Sequence, residues 1–170
     1  DLVWKNAGQW IIKYSNSSFK GQIIDPGYPE AREYVHNVCM EIINNYDVDG
    51  IVMDDYFYAY GGTKNEDATS RSLHKPSNVK DVDKDGSTDD DWRRANVDSV
   101  ICNLYKAIQE VKPWVRFGMG TFGIWTMKSK VASAYGISLP SGITGLDDYE
   151  EQACNPVEWV KGGYVDYINP

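Results

Sequence analysis

Apolar residues recur at three- to four-residue spacing in two stretches of the chain. In the first, Val35, Val38, Cys39, Ile42, Ile43 and Tyr46 line one face, the period of a helix with one buried stripe. Pro29 suits its first turn, Glu30 and Glu33 sit near its positive end, and Asn44-Asn45 marks its stop. The second stretch spans residues 89–111, where Val97, Val100, Ile101, Leu104, Ile108 and Val111 repeat the pattern. Asp89, Asp90 and Asp91 crowd its start, and Pro113 ends it. A third, shorter helix is predicted between Asn155-Pro156 and Gly162-Gly163.

Short continuous apolar runs lie between these helices. Gly50-Ile51-Val52-Met53 ends in Asp54-Asp55, Val115 to Gly120 follows the second helix, and Tyr164 to Asn169 closes the chain. A strand apolar on both faces is a buried parallel strand covered by helices. The stretch up to Gly21, with Trp4, Trp10, Ile11, Ile12 and Tyr14, reads as loop plus a short strand. The order helix, strand, helix, strand, helix, strand means an α/β fold with right-handed crossovers. A doubly wound sheet or a section of a (β/α) barrel would both fit. The segments after the first two strands, 56–90 and 121–153, are long, whereas those entering strands are short. Sites in such folds form at the carboxyl ends of strands, which points to Asp54-Asp55 and to residues 121–125.

Composition narrows the function classes. The 170 residues suit a single domain, 1–170, or part of a larger one. A net charge of -8 argues against a nucleic-acid partner, which is held largely by basic side chains. No apolar run approaches the roughly 20 residues of a membrane helix, and no GxGxxG or P-loop signals a nucleotide site. The start at Asp1 is not a signal peptide and reads as that of an excised or processed piece. Cys39, Cys102 and Cys154 fit no zinc or redox spacing. His36 and His74 have no Ser or Cys partner at suggestive spacing. The aromatic share of 13% suits either a core or a sugar-binding cleft floored by rings.

Four motifs carry candidate chemistry. Asp54-Asp55-Tyr56-Phe57-Tyr58 places two carboxylates at the end of a buried strand, pointing to opposite faces, so they take different jobs. Glycosidases need two carboxyl groups flanking the scissile bond, about 5–5.5 Å apart for retention or roughly 6.5–9.5 Å for inversion. The partner of an acid here is expected elsewhere in the chain. The alternative is that the two acids cap loops or bind a cation. In Asp81-Val82-Asp83-Lys84-Asp85-Gly86-Ser87-Thr88-Asp89, the D-x-D-x-D-G spacing offers the oxygens of a structural calcium loop, from Asp81, Asp83, Asp85, Ser87 and Asp89. Trp92 stands where such a loop has a bidentate Glu, and a solvated acidic turn capping the helix at Asp91 explains the run equally well. Arg93 and Arg94 oppose the helix dipole, so they call for carboxylate partners. In the fourth motif, residues 117–125, glycines permit close backbone approach while Phe122 and Trp125 offer a platform. Asp148, in the loop before the third helix, is a further acid that could reach a cleft.

These residues also resemble a known family. Asp25-Pro26-Gly27 with Pro29-Glu30-Ala31-Arg32, residues 46–58, Asn65 to Thr69, Asp91 to Asn96, residues 117–125 and Asp166 to Pro170 look like the glycosyl-hydrolase-like 10 family of bacterial (β/α)8 barrels, in family order over nearly the whole chain. The resemblance implies a TIM-type (β/α) barrel of which this chain is the middle section, about strands 4–6. It implies an oligo- or polysaccharide partner, peptidoglycan strands among the candidates, and an extracellular, periplasmic or cell-surface lipoprotein setting. It places the remaining strands on a longer chain. By likeness to related glycosidases, Asp54 is the nucleophile of a retaining reaction and Asp55 orients the site. Asp148 is the candidate acid, and Tyr56, Tyr58, Phe122 and Trp125 line sugar subsites. A non-catalytic glycan-binding barrel is the alternative. A metal-dependent hydrolase ranks last, since histidine ligands are missing.

Overall fold

The computed structural model describes residues 9–170. Trp4, counted above in the first stretch, lies outside them. The remainder of that stretch is more regular than a loop with one strand. It forms an antiparallel hairpin of β1 (Ile11–Ser15) and β2 (Lys20–Ile24). Asn16 sets its turn: its side-chain Oδ1 accepts from the amides of Ser18 and Phe19, at 2.8 and 2.6 Å. An Asx turn of this kind is invisible to apolar periodicity.

Beyond the hairpin the chain alternates as the apolar pattern requires. Helix α1 (Pro29–Asn45) leads to β3 (Gly50–Asp54), α3 (Asp89–Val111) to β4 (Arg116–Gly120), and α6 (Pro156–Gly162) to β5 (Tyr167–Asn169). The three strands form one parallel sheet in the order β3-β4-β5. Gly163, at φ 67, closes α6 in the left-handed conformation that glycine tolerates without a Cβ clash. The final strand is shorter than the apolar run beginning at Tyr164. The two long segments are not bare loops. The first holds α2 (Ala68–His74), and the second holds α4 (Ser129–Ala134) and α5 (Asp148–Glu151). Each is too short to repeat the helical period often enough for the pattern to show in sequence.

The two faces of the parallel sheet differ. Ile51, Met53, Phe117, Met119 and Ile168 join the core with Val97, Ile101, Leu104 and Ile108 of α3. Burial of each large side chain there contributes about 2 kcal/mol. Helix α1 packs against α3, but the buried stripe on α1 is Ala31, Cys39, Met40 and Ile43. Val38, Ile42 and Tyr46 of the predicted stripe are exposed, as is Val111 at the end of α3. Strand alternation puts Val52, Asp54, Gly118, Gly120 and Tyr167 on the other face. That face is open: Val52 is 53% exposed and Tyr167 42%.

Candidate active site

Asp54 is the last residue of β3, and its side chain leaves the strand on the open face. Its neighbour across the ladder is Gly120. A Cβ on Gly120 would come within 2.8 Å of Asp54 Oδ1, so the missing side chain is what lets the carboxylate lie over β4. Beside Asp54 lies a cavity of about 280 Å³, bordered by Ile24, Arg32, Met53, Tyr56 and Phe57 among others.

Asp55 takes the opposite direction and is buried. There it meets Asp148, which is 0% exposed at the start of α5. Asp55 Oδ2 and Asp148 Oδ1 are buried without a donor, so a proton on one of the two carboxyl groups is what can join them. Burial pushes the Asp148 carboxyl up to about 9, helped by the hydrogen bond and charge of Asp55 and by the charge of Asp147, and opposed by the Phe122 amide. The pair therefore keeps one proton at neutral pH. Asp148 Oδ2 accepts from the Phe122 N–H at 3.0 Å. The Asp148 and Tyr149 amides donate to the carbonyls of Ile124 and Trp125. Asp147 caps α5, accepting from the amides of Glu150 and Met127, both at 2.9 Å. The chain after β3, the turn after β4 and the start of α5 are thus tied at one buried point.

The predicted ring platform is partly rearranged. Tyr56 is exposed and accepts a hydrogen bond from the Tyr60 hydroxyl at 3.0 Å. Tyr60 stacks on Phe122 with centroids 5.8 Å apart. Trp125 is half-buried, donating through Nε1 to Asn155 and packing edge-on against Tyr135 and Tyr149. Tyr58 is 1% exposed and belongs to the core, so in this structure it does not reach a subsite surface. An aromatic residue three places along from Asp55 reads the same in sequence whether it faces in or out. Tyr60, which supplies the stacking partner instead, was signalled only by its four-residue offset from Tyr56.

Both arginines find acids. Arg93 grips Asp67 through Nε and Nη2, at 2.7 and 2.8 Å, and also pairs with Asp90. Arg94 pairs with Asp91 at 2.9 Å, donates to the Tyr149 carbonyl at 3.0 Å and lies 3.7 Å over its ring. The calcium spacing is not realised as a ring. Asp89 pairs with Lys75 and Arg71, and Asp85 accepts from the Ser87 amide. Only Asp81 and Asp83 of the five predicted ligands come together, and Asp91 joins them. The helix begins ahead of Asp91, after Thr88, which frees that side chain from the capping role.

The site is thus a carboxylate at the carboxyl end of a parallel strand, with a buried acid pair behind it and exposed rings beside it. The chain belongs to the glycosyl hydrolase-like 10 family, whose profile matches residues 2–170. It is 30% identical over 162 residues to "Glycosyl hydrolase YngK" of Bacillus subtilis (strain 168), covering 95% of this chain and 29% of that protein. It is 31% identical over 150 residues to "Glycosyl hydrolase DigH" of Escherichia coli (strain K12), covering 87% of this chain and 31% of that protein. The chain thus spans under a third of the length of these relatives. Among the described residues no helix is long and apolar enough to cross a membrane.

Proposed function

We propose that this chain forms strands 4–6 of a (β/α)8 barrel that hydrolyses a glycan, with Asp54 as the reacting carboxylate. The observation that carries the reading is the position of Asp54: it ends a parallel strand, lies over Gly120 and faces the open side of the sheet. There it can attack an anomeric carbon or stabilise the positive charge that develops on the sugar ring. Asp55 and Asp148 do not flank the bond. Both are closed off from solvent, so the proton on Asp148 serves to bind two loops together rather than to protonate a leaving group. The general acid, which must touch the substrate, then lies on another section of the longer protein. Tyr56, Tyr60 and Phe122 present the flat surface on which a sugar ring stacks.

The test uses the full-length protein and glycan strands from bacterial cell wall. Asp54→Asn is expected to lower kcat by about 10³-fold or more while leaving glycan binding within a few-fold. Unchanged turnover would remove Asp54 from the reaction. The burial of Asp55 and Asp148 favours one second reading, a glycan-binding barrel without turnover. It predicts saturable binding by both wild type and Asp54→Asn, with no products from either.

A further inference from the structure

We propose that Asp81, Asp83 and Asp91 form a calcium site that fastens the acidic loop to the first turn of α3. One carboxylate oxygen from each lies within 4.8 Å of the others. Their existing partners explain why the cluster is poised for a cation. Asp81 accepts from the amides of Asp85 and Gly86, at 3.2 and 3.1 Å. Asp91 accepts from the Val82 amide at 2.9 Å and from Arg94. Asp83 is different. Its side chain is 3% exposed, and only Oδ2 is engaged, by Lys128 at 3.2 Å and more distantly by Arg94 at 4.0 Å. Asp83 Oδ1 is buried and has no hydrogen-bond partner among the described residues. A charged oxygen left so is costly unless something pairs with it, and the two neighbouring carboxylates make a cation the fitting partner.

The chemistry selects the ion. Three carboxylates without a His or Cys form a hard, all-oxygen set, suited to calcium or magnesium rather than zinc. Asp81 is half-buried at the solvent side, which leaves room for the water ligands that complete calcium's coordination. The two cations already present, Arg94 and Lys128, do not neutralise three carboxylates, and Lys128 is shared with Glu150 at 2.9 Å while Arg94 also donates to the Tyr149 carbonyl. Those same contacts give the site a reach. An ion held by Asp83 and Asp91 would fix Arg94 and Lys128, and both touch the segment that carries Asp148. This inference stands apart from the role of Asp54.

The test is calcium titration of the full-length protein after chelator treatment, read by calorimetry, thermal unfolding and terbium emission sensitised by Trp92. Saturating calcium is expected to raise the unfolding midpoint by about 5 °C. Asp81→Asn, a change at the solvent side of the cluster, is expected to weaken binding at least about tenfold and to reduce terbium emission in parallel. Asp85→Asn and Asp89→Asn should bind as wild type does. The proposal is overturned if wild type shows neither heat nor a midpoint shift, or if Asp81→Asn binds normally. It is equally overturned if Asp85→Asn or Asp89→Asn loses binding, or if magnesium binds as tightly as calcium.

Discussion

Asp67 and Asp148 are both acids closed off from water within the segments that follow β3 and β4, yet they sit in opposite electrostatic company. Asp67 meets a guanidinium. Burial alone would lower the Arg93 pKa, but the hydrogen bonds and charge of Asp67, with Asp90 beyond it, outweigh that and raise it. Asp148 meets another carboxyl group and holds a proton. The comparison shows that depth alone does not set the state of a buried acid here. Burial drives Asp148 towards its protonated form and the Asp55 carboxyl adds to it, whereas a guanidinium stands beside Asp67. Inside the protein a paired charge is tolerated and two like charges at contact are not.

The largest effect should come from breaking the first pair. Asp67→Asn leaves Arg93 buried with only the part-exposed Asp90 to answer it. The expected loss in urea unfolding is about 3–5 kcal/mol. A loss under about 1 kcal/mol would mean that the pair does not hold the segment in place.

The second pair should announce itself through pH. The folded-state pKa of Asp148 is raised from 3.8 to about 9, so the stability its proton lends is complete below about pH 4 and is lost as pH rises through about 9. Unfolding free energy should fall across that window with a slope of up to about 1.4 kcal/mol per pH unit. Asp148→Asn carries no titrating proton and should flatten the slope. A wild-type profile already flat between pH 5 and 9 would contradict the shared proton.

The smallest effect sharpens the same contrast. Asp98 is also raised, to about 7, chiefly by burial and by Glu158, while the Trp159 indole N–H donating at 2.6 Å opposes the shift. The sign is that of Asp148, but the window closes near pH 7. Asp98→Asn keeps an acceptor for Trp159 but carries no titrating proton, so its stability should match wild type near pH 4 and exceed it by about 1 kcal/mol or more once pH passes about 7. A difference that is largest near pH 4, or absent at pH 8, would assign the titration to another group.

Much of this chain was legible before any coordinates. Helix α3 and strands β3 and β4 follow from the apolar period, since a long helix and a buried strand each repeat one environment many times. The opposed directions of Asp54 and Asp55 follow from strand geometry alone, and Arg93 and Arg94 demanded acidic partners on electrostatic grounds. Three things did not follow. The hairpin turn at Asn16 rests on side-chain hydrogen bonds, the short helices α2, α4 and α5 repeat the helical period too few times to be read, and the exposure of Val38, Ile42 and Tyr46 depends on what α1 packs against.

Local sequence thus determined where the chain is helical, where it is extended and which residue types gather at the strand ends. Only tertiary structure decided which acid meets which partner: Asp55 found Asp148 across 93 residues, while the Asp81 loop closed onto Asp91 instead of its own Asp85 and Asp89. The reason is that charge, burial and proton occupancy at contact distance depend on the three-dimensional neighbours of a group, and residues far apart in sequence carry no pattern that reports them.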